Sequence, residues 1–149
     1  LQAIGWISDG SLTFKGRAQQ QDTTRLVPTS IDDAIEANDS SLQWALPYIE
    51  CPENLLTITS GIHKGTTIVV TDGSFKLHRG TSAFTLVDLA SGTQLTGTNH
   101  VPGLSSNHCS YQSELTGILG TVILIDTVCG FFQITRGHVT IGCNNLEGG

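Results

Sequence analysis

Thr67-Ile68-Val69-Val70-Thr71-Asp72-Gly73-Ser74-Phe75 gives the chain its first firm landmark. Ile68 to Thr71 is a run of β-branched residues, which favour a pleated, half-buried backbone. A short apolar run closed by a turn signal reads as an inner strand. Asp72 then falls where that strand ends. A carboxylate there can face a cleft while its backbone stays fixed, as a metal-binding or catalytic group requires. Asp-Gly taken alone also serves as a hairpin turn. The chain on either side has to decide between the two.

Downstream the pattern is regular. Lys76–Gly80 is a polar turn, Thr81–Leu89 alternates as a second strand with Ala83 or Phe84 and Leu86 toward the core, and Ala90-Ser91-Gly92 turns again. Thr93–Val101 is a third strand, stopped by Pro102-Gly103. Short connections make these three an antiparallel meander. Ser105–Ser113 is rich in capping residues, and a helix follows. Tyr111, Leu115, Ile118, Leu119, Val122, Ile125 and Cys129 recur at three- and four-residue steps, which assigns them to one apolar face. Gly130 or Gly137 closes it. His138–Cys143 is a final buried strand.

Upstream, residues 1–18 read as a β-hairpin around a second Ser-Asp-Gly-Ser at 8–11. The stretch after it, Gln19 to Thr24, is polar and turn-like and does not supply the strands and later acid that could form a site, so here Asp9-Gly10 is read as a plain turn. Residues 19–30 read as a linker. Ser30 or Thr29 caps a helix begun by Ile31, Asp32 and Asp33, whose charges suit the positive end of the dipole. A second short helix is expected from Ser40 or Ser41 through Ile49, strained by Pro47, and another turn or two over Asn54–His63. Trp44 is read as a packing anchor.

Composition sets limits. The chain has 149 residues, 38% hydrophobic and 13% charged, with a formal charge of −6. That suits a folded domain with a real core and argues against disorder. Lys and Arg drive non-specific nucleic-acid binding, so the charge argues against a basic DNA-coating protein while leaving room for an enzyme that handles nucleic acid through metal ions. Cys51, Cys109, Cys129 and Cys143 form no C-x-x-C pair, and no signal peptide is visible. They are read as free thiols in a reducing, intracellular (cytoplasmic or nuclear) setting, with Cys109, Cys129 and Cys143 buried. No apolar run reaches membrane-spanning length. With no Met, even at position 1, the chain is expected to be an excerpt of a longer polypeptide.

Three strands, a helix and a fourth strand, with Thr-Asp-Gly-Ser at 71–74, Gly-Thr-Ser-Ala-Phe at 80–84, Val-Pro-Gly at 101–103, Tyr-Gln-Ser-Glu-Leu-Thr-Gly-Ile at 111–118 and Val-Thr-Ile-Gly-Cys-Asn at 139–144, resemble the ribonuclease H-like domain that follows reverse transcriptase in non-LTR-type retroelement polyproteins. The resemblance covers roughly residues 65–149. It implies an α/β fold with an antiparallel meander, a helix and a fourth, parallel strand, incomplete at the C-terminus. Residues 61–149 would be the first part of that domain and residues 1–60 a connecting region of hairpin and short helices.

The resemblance also implies a chemistry. Phosphodiester hydrolysis needs an activated water and a neutralised leaving oxygen, which two divalent ions about 4 Å apart supply. Carried over by position, Asp72 and Glu114 are metal ligands for Mg²⁺ or Mn²⁺, and Asn144 stands where the family has a third catalytic carboxylate. An amide there offers one neutral oxygen and lowers cation affinity. Gly73 and Ser74 would lie against the substrate backbone, and Gln112 against the minor groove of an RNA–DNA hybrid, where the 2′-hydroxyl marks RNA. The expectation is an RNase H-type hydrolase impaired or lost at position 144. The alternatives are an inactive module of the same fold that binds nucleic acid or protein, and an unrelated β-rich binding domain in which Thr-Asp-Gly-Ser is only a turn.

Overall fold

A computed structural model describes residues 4–8 and 11–15 as backbone and residues 29–143 with their side chains. The strands are β1 (Ile4–Ser8), β2 (Ser11–Lys15), β3 (Tyr48–Glu50), β4 (Thr67–Lys76), β5 (Arg79–Asp88), β6 (Gln94–His100) and β7 (Val139–Cys143). The α-helices are α1 (Ile31–Glu36), α2 (Leu55–Lys64) and α3 (Ser110–Phe131), and 3-10 turns cover Ser40–Ala45 and Ser105–Asn107. The fold is mixed α/β. Its centre is a five-stranded mixed sheet in the order β7-β4-β5-β6-β3, extended at the β7 side by the β1-β2 hairpin. β4, β5 and β6 form the expected antiparallel meander, and β7 lies parallel to β4.

The described helices cover one face of the sheet. Gly61 of α2 lies against Thr67 and Asp88, and Gly117 of α3 against Thr71 and Ser82. Asn99 of β6 donates to the carbonyl of Ala45 at 3.1 Å, and α1 is tied to α3 by Asn38 Nδ2 donating to Thr127 Oγ1 at 3.0 Å. The core between the layers holds Ile58, Val69, Phe84, Leu86, Leu95, Ile123, Leu124 and Val128, all nearly free of solvent. Ile35, Ala45 and Leu55 join the same cluster. Residues 29–64 are thus packed into this core, and the expected boundary at residue 60 falls inside α2.

Three local expectations change. Ile49 lies in a strand, not a helix: the 3-10 turn ends at Ala45, before Pro47, and Tyr48–Glu50 pairs with β6. Pro47 pushes the preceding Leu46 out of the helical region, which ends the turn, and the β-branched Ile49 suits extended backbone. α3 closes at Phe132, with Gln133 in the left-handed region (φ +55) and Ile134 N–H donating to the Cys129 carbonyl at 2.8 Å. Gly130 remains in the helix, and Gly137 packs on Ile62. The connection between β4 and β5 is only Leu77-His78, so Lys76 and Gly80 are strand residues.

The largest change concerns the buried face of α3. Its first half turns Ser113, Thr116, Gly117, Gly120 and Thr121 inward and leaves Tyr111, Leu115 and Leu119 exposed. A Cβ built on Gly117 would lie 3.3 Å from Thr71 and Ser82, and one on Gly120 would meet Asn99 and Phe84 at 2.8 and 2.9 Å. The helix backbone therefore lies close to the sheet, where only small side chains fit. Burying the hydroxyls costs little because each has a carbonyl one turn back: Thr116 donates to Gln112, Thr121 to Gly117 and Thr127 to Ile123, at 2.6 to 2.9 Å. α3 is also long and apolar enough to cross a membrane, but 56% of its most apolar window is buried in the protein, as in a core helix.

Candidate active site

Side-chain alternation along β4 places the candidate site. Thr67, Val69 and Thr71 are buried under the helices, while Val70 and Asp72 are exposed. Thr71 faces Gly117 and Gly73 faces α3, so Asp72 projects from the open face of the sheet. Asp72 is not at a turn. It pairs with Ala83 in mid-strand, and Gly73 pairs with Ser82.

Gly73 seats the first turn of α3 on β4, on the face of the sheet opposite to the one from which Asp72 projects. A Cβ built on it would stand 2.6 Å from Glu114 N, 2.6 Å from Ser113 C and 3.0 Å from Glu114 Cα. The first turn of α3 thus rests directly on the backbone of β4 beside Asp72. Ser113 fixes the contact, its hydroxyl lying 3.0 Å from the Ser74 carbonyl and 3.2 Å from the Cys109 carbonyl. Ser74 therefore helps hold the helix in place. Glu114 is half-buried, and its Oε2 is fully shielded without a hydrogen-bond partner among the described residues. A shielded carboxylate oxygen with no donor is costly unless a cation or a proton satisfies it.

Gln112 lies elsewhere. Residues two apart on a helix do not share a face, and Gln112 lines a shallow groove with Trp44, Val101, Pro102, Leu115, Thr116 and Leu119. Its Oε1 is also shielded and unpartnered. Trp44 packs against the core and forms a wall of this groove. Asn144 lies outside the described residues. β7 is described as far as Cys143, which aligns with Thr71, the residue before Asp72.

One contributor carried no sequence signal beyond its place in a polar stretch. His108 Nδ1 accepts from the Gly80 N–H at 3.1 Å, while its Nε2 is shielded and unpartnered. It pins the start of β5 to the segment leading into α3. The cysteines also differ from expectation: Cys109 and Cys143 are exposed, and only Cys129 is largely sheltered. Burial, with Asp126 nearby, pushes the Cys129 thiol up to about 11. At the far end of β5, Asp88 accepts from Thr66 Oγ1 and Ser91 Oγ, each at 2.6 Å. The Ser91 and Thr66 hydroxyls hold its carboxyl below the usual 3.8.

Oxygen chemistry suits a hard cation at Asp72 and Glu114. Mg²⁺ is commonly held by one or two carboxylates and keeps several waters. Asp72 is exposed on the open face of the sheet, and Glu114 is half-buried on the helix-covered side. Among the described residues no group of three His, Cys, Asp or Glu side chains is gathered for a metal. Comparison with known protein families, curated proteins and solved structures gives no match for this chain.

Proposed function

We propose that β4, β5, β6, α3 and β7 are the first part of a ribonuclease H-like domain, and that its site acts on the RNA strand of RNA–DNA hybrids. The observation carrying this reading is the unpartnered Glu114 Oε2 on a helix turn seated over Gly73, next to Asp72. A turn-only role for Asp72-Gly73 has no use for that arrangement, since the dipeptide lies in mid-strand.

Asp72 and Glu114 would hold the divalent ions. Bound there, the metals would lower the pKa of a water and neutralise charge on the leaving oxygen. Asp72 offers its carboxylate from a strand fixed on both sides, so its position costs little reorganisation. Gly73 and Ser74, expected against the substrate backbone, are taken up by α3 on the covered face, so a sugar-phosphate chain would approach β4 from the face that carries Asp72. Asn144, in place of a carboxylate, weakens the site, so hydrolysis is slow and favours Mn²⁺ over Mg²⁺. The setting is an intracellular retroelement polyprotein.

Asn144 favours a second reading, a catalytically inactive domain of the same fold that binds nucleic acid or a protein. Cleavage of a labelled RNA strand in a hybrid, with Mg²⁺ and with Mn²⁺, separates the two. Slow cutting that disappears in Asp72→Asn supports the hydrolase. Absence of cutting by folded protein, with hybrid binding retained, supports the inactive module. Cutting that survives Asp72→Asn refutes the assignment of the site.

A further inference from the structure

The β4-β5 hairpin tip combines features that a simple turn does not need. Lys76 and Arg79 pair across it, and Leu77 and His78 form the two-residue connection. Both connecting residues have positive φ, +50 and +61. Such tight turns favour Asn-Gly, because a branched or bulky side chain is strained there. Leu77 is nevertheless 93% exposed. Strain and a fully exposed apolar side chain together point to a contact outside the chain. The cations agree: among the described residues Lys and Arg occur at 15, 64, 76, 79 and 136, and this tip holds two of these five in an otherwise acidic protein.

We infer that the Lys76-Leu77-His78-Arg79 tip is a duplex-docking element, with Leu77 entering a groove of a nucleic-acid helix and Lys76 and Arg79 on the flanking phosphates. Apolar wedges between base steps, flanked by cations on phosphates, are an established way to grip a duplex. The inference rests on the hydrolase-fold reading only for its direction, since the tip continues the strand that carries Asp72. Leu77 is five residues beyond Asp72, about 17 Å at a rise of about 3.4 Å. B-form DNA advances about 3.4 Å per base pair, and an RNA–DNA hybrid, nearer A-form, somewhat less. The tip therefore meets a duplex laid along β4 at least about five base pairs from a phosphodiester held at Asp72.

The test is anisotropy of a labelled RNA–DNA hybrid in EDTA, where nothing is cut. Lys76→Ala with Arg79→Ala should weaken binding about tenfold and flatten the log–log salt slope by about 1.8, at about 0.9 per phosphate contact. Leu77→Asn with His78→Gly should melt no lower than the parent, since it installs the preferred turn, yet bind about fivefold more weakly. Hybrids trimmed to about three base pairs beyond the cleavage position should lose both effects. Unchanged binding by either variant overturns the inference, as does a protein that ignores hybrids and binds phosphatidylserine vesicles through Leu77. Mn²⁺-dependent cleavage, run alongside, reports the other reading separately. Hairpin effects without cleavage sink only the hydrolase, and Asp72-dependent cleavage indifferent to the hairpin sinks only the docking element.

Discussion

Gly73→Ala is the sharpest test of how the site is built. The added methyl would stand 2.6 Å from Glu114 N and Ser113 C, both backbone atoms. Ordinary contact begins near 3.4 Å, so the first turn of α3 must lift by roughly 0.8 Å or β4 must bow by as much. Overpacking of this kind costs about 1–3 kcal/mol, from which the alanine recovers about 0.5–1 kcal/mol of backbone entropy. A net loss of about 1–2 kcal/mol lowers Tm by about 2–8 °C in a chain of this size. The displacement also moves Glu114 relative to Asp72, and a misplacement near 1 Å can reduce a positioned reaction about 100-fold. Gly117→Ala is the matched control. Its Cβ would lie 3.3 Å from the Cβ atoms of Thr71 and Ser82, a small intrusion offset by about 1 kcal/mol of helix propensity. Thermal melts followed by circular dichroism, with Mn²⁺-dependent cleavage on the same samples, compare the two. Equal Tm and equal cleavage for Gly73→Ala and the parent would refute the close seating of α3 on β4.

Mn²⁺ at about ten times its Kd should stabilise the parent by about 1.4 kcal/mol, visible as a rise in Tm that Glu114→Gln and Asp72→Asn both abolish. Asn99→Ala removes the acceptor of the buried Ser82 hydroxyl and the donor to the Ala45 carbonyl, and should cost about 2–3 kcal/mol in urea unfolding. The depressed Asp88 carboxyl contributes stability that is complete above the usual 3.8 and is lost as pH falls through its lower folded value. Asp88→Asn should therefore destabilise the protein near neutrality and show a shallower acid limb below about pH 4 in pH-dependent melts.

The sequence carried the sheet more clearly than the helix face. Four β-branched residues before Asp72 and the alternation in Thr81–Leu89 define strands locally, because the period of two is read from adjacent residues. The start of α3 was also visible, since Ser110 follows a polar segment, but its end at Phe131 was not, because Gly130 stays helical. Its inward face was not. Apolar periodicity selects Tyr111, Leu115 and Leu119, whereas the sheet accepts Gly117 and Gly120 because closeness there outweighs apolar area. Only the facing residues, Thr71, Ser82, Phe84 and Asn99, reveal that choice, and they are distant in sequence. Gly73 was legible as part of a motif but not in its function, for the same reason. His108 follows suit, its partner Gly80 being 28 residues away.

Two near-identical tetrapeptides show why context decides what Asp-Gly does. Ser8 pairs with Ser11 in the β1-β2 hairpin, and Asp9-Gly10 itself lies outside the described residues. In Thr71-Asp72-Gly73-Ser74 every residue is paired with β5. The local sequence differs by one hydroxyl-bearing residue, Ser8 against Thr71. The difference in outcome comes from what surrounds each copy. Thr71 follows a β-branched run that continues the strand, β7 holds its other side in parallel register as far as Cys143, and the turn of α3 above leaves no room for a side chain at position 73. At a hairpin, glycine is selected by backbone angle. At Gly73 it is selected by the space under Glu114. That second requirement is what couples strand to helix, and it fixes the backbone of Glu114 against the strand that carries Asp72 even though the two are far apart in the chain.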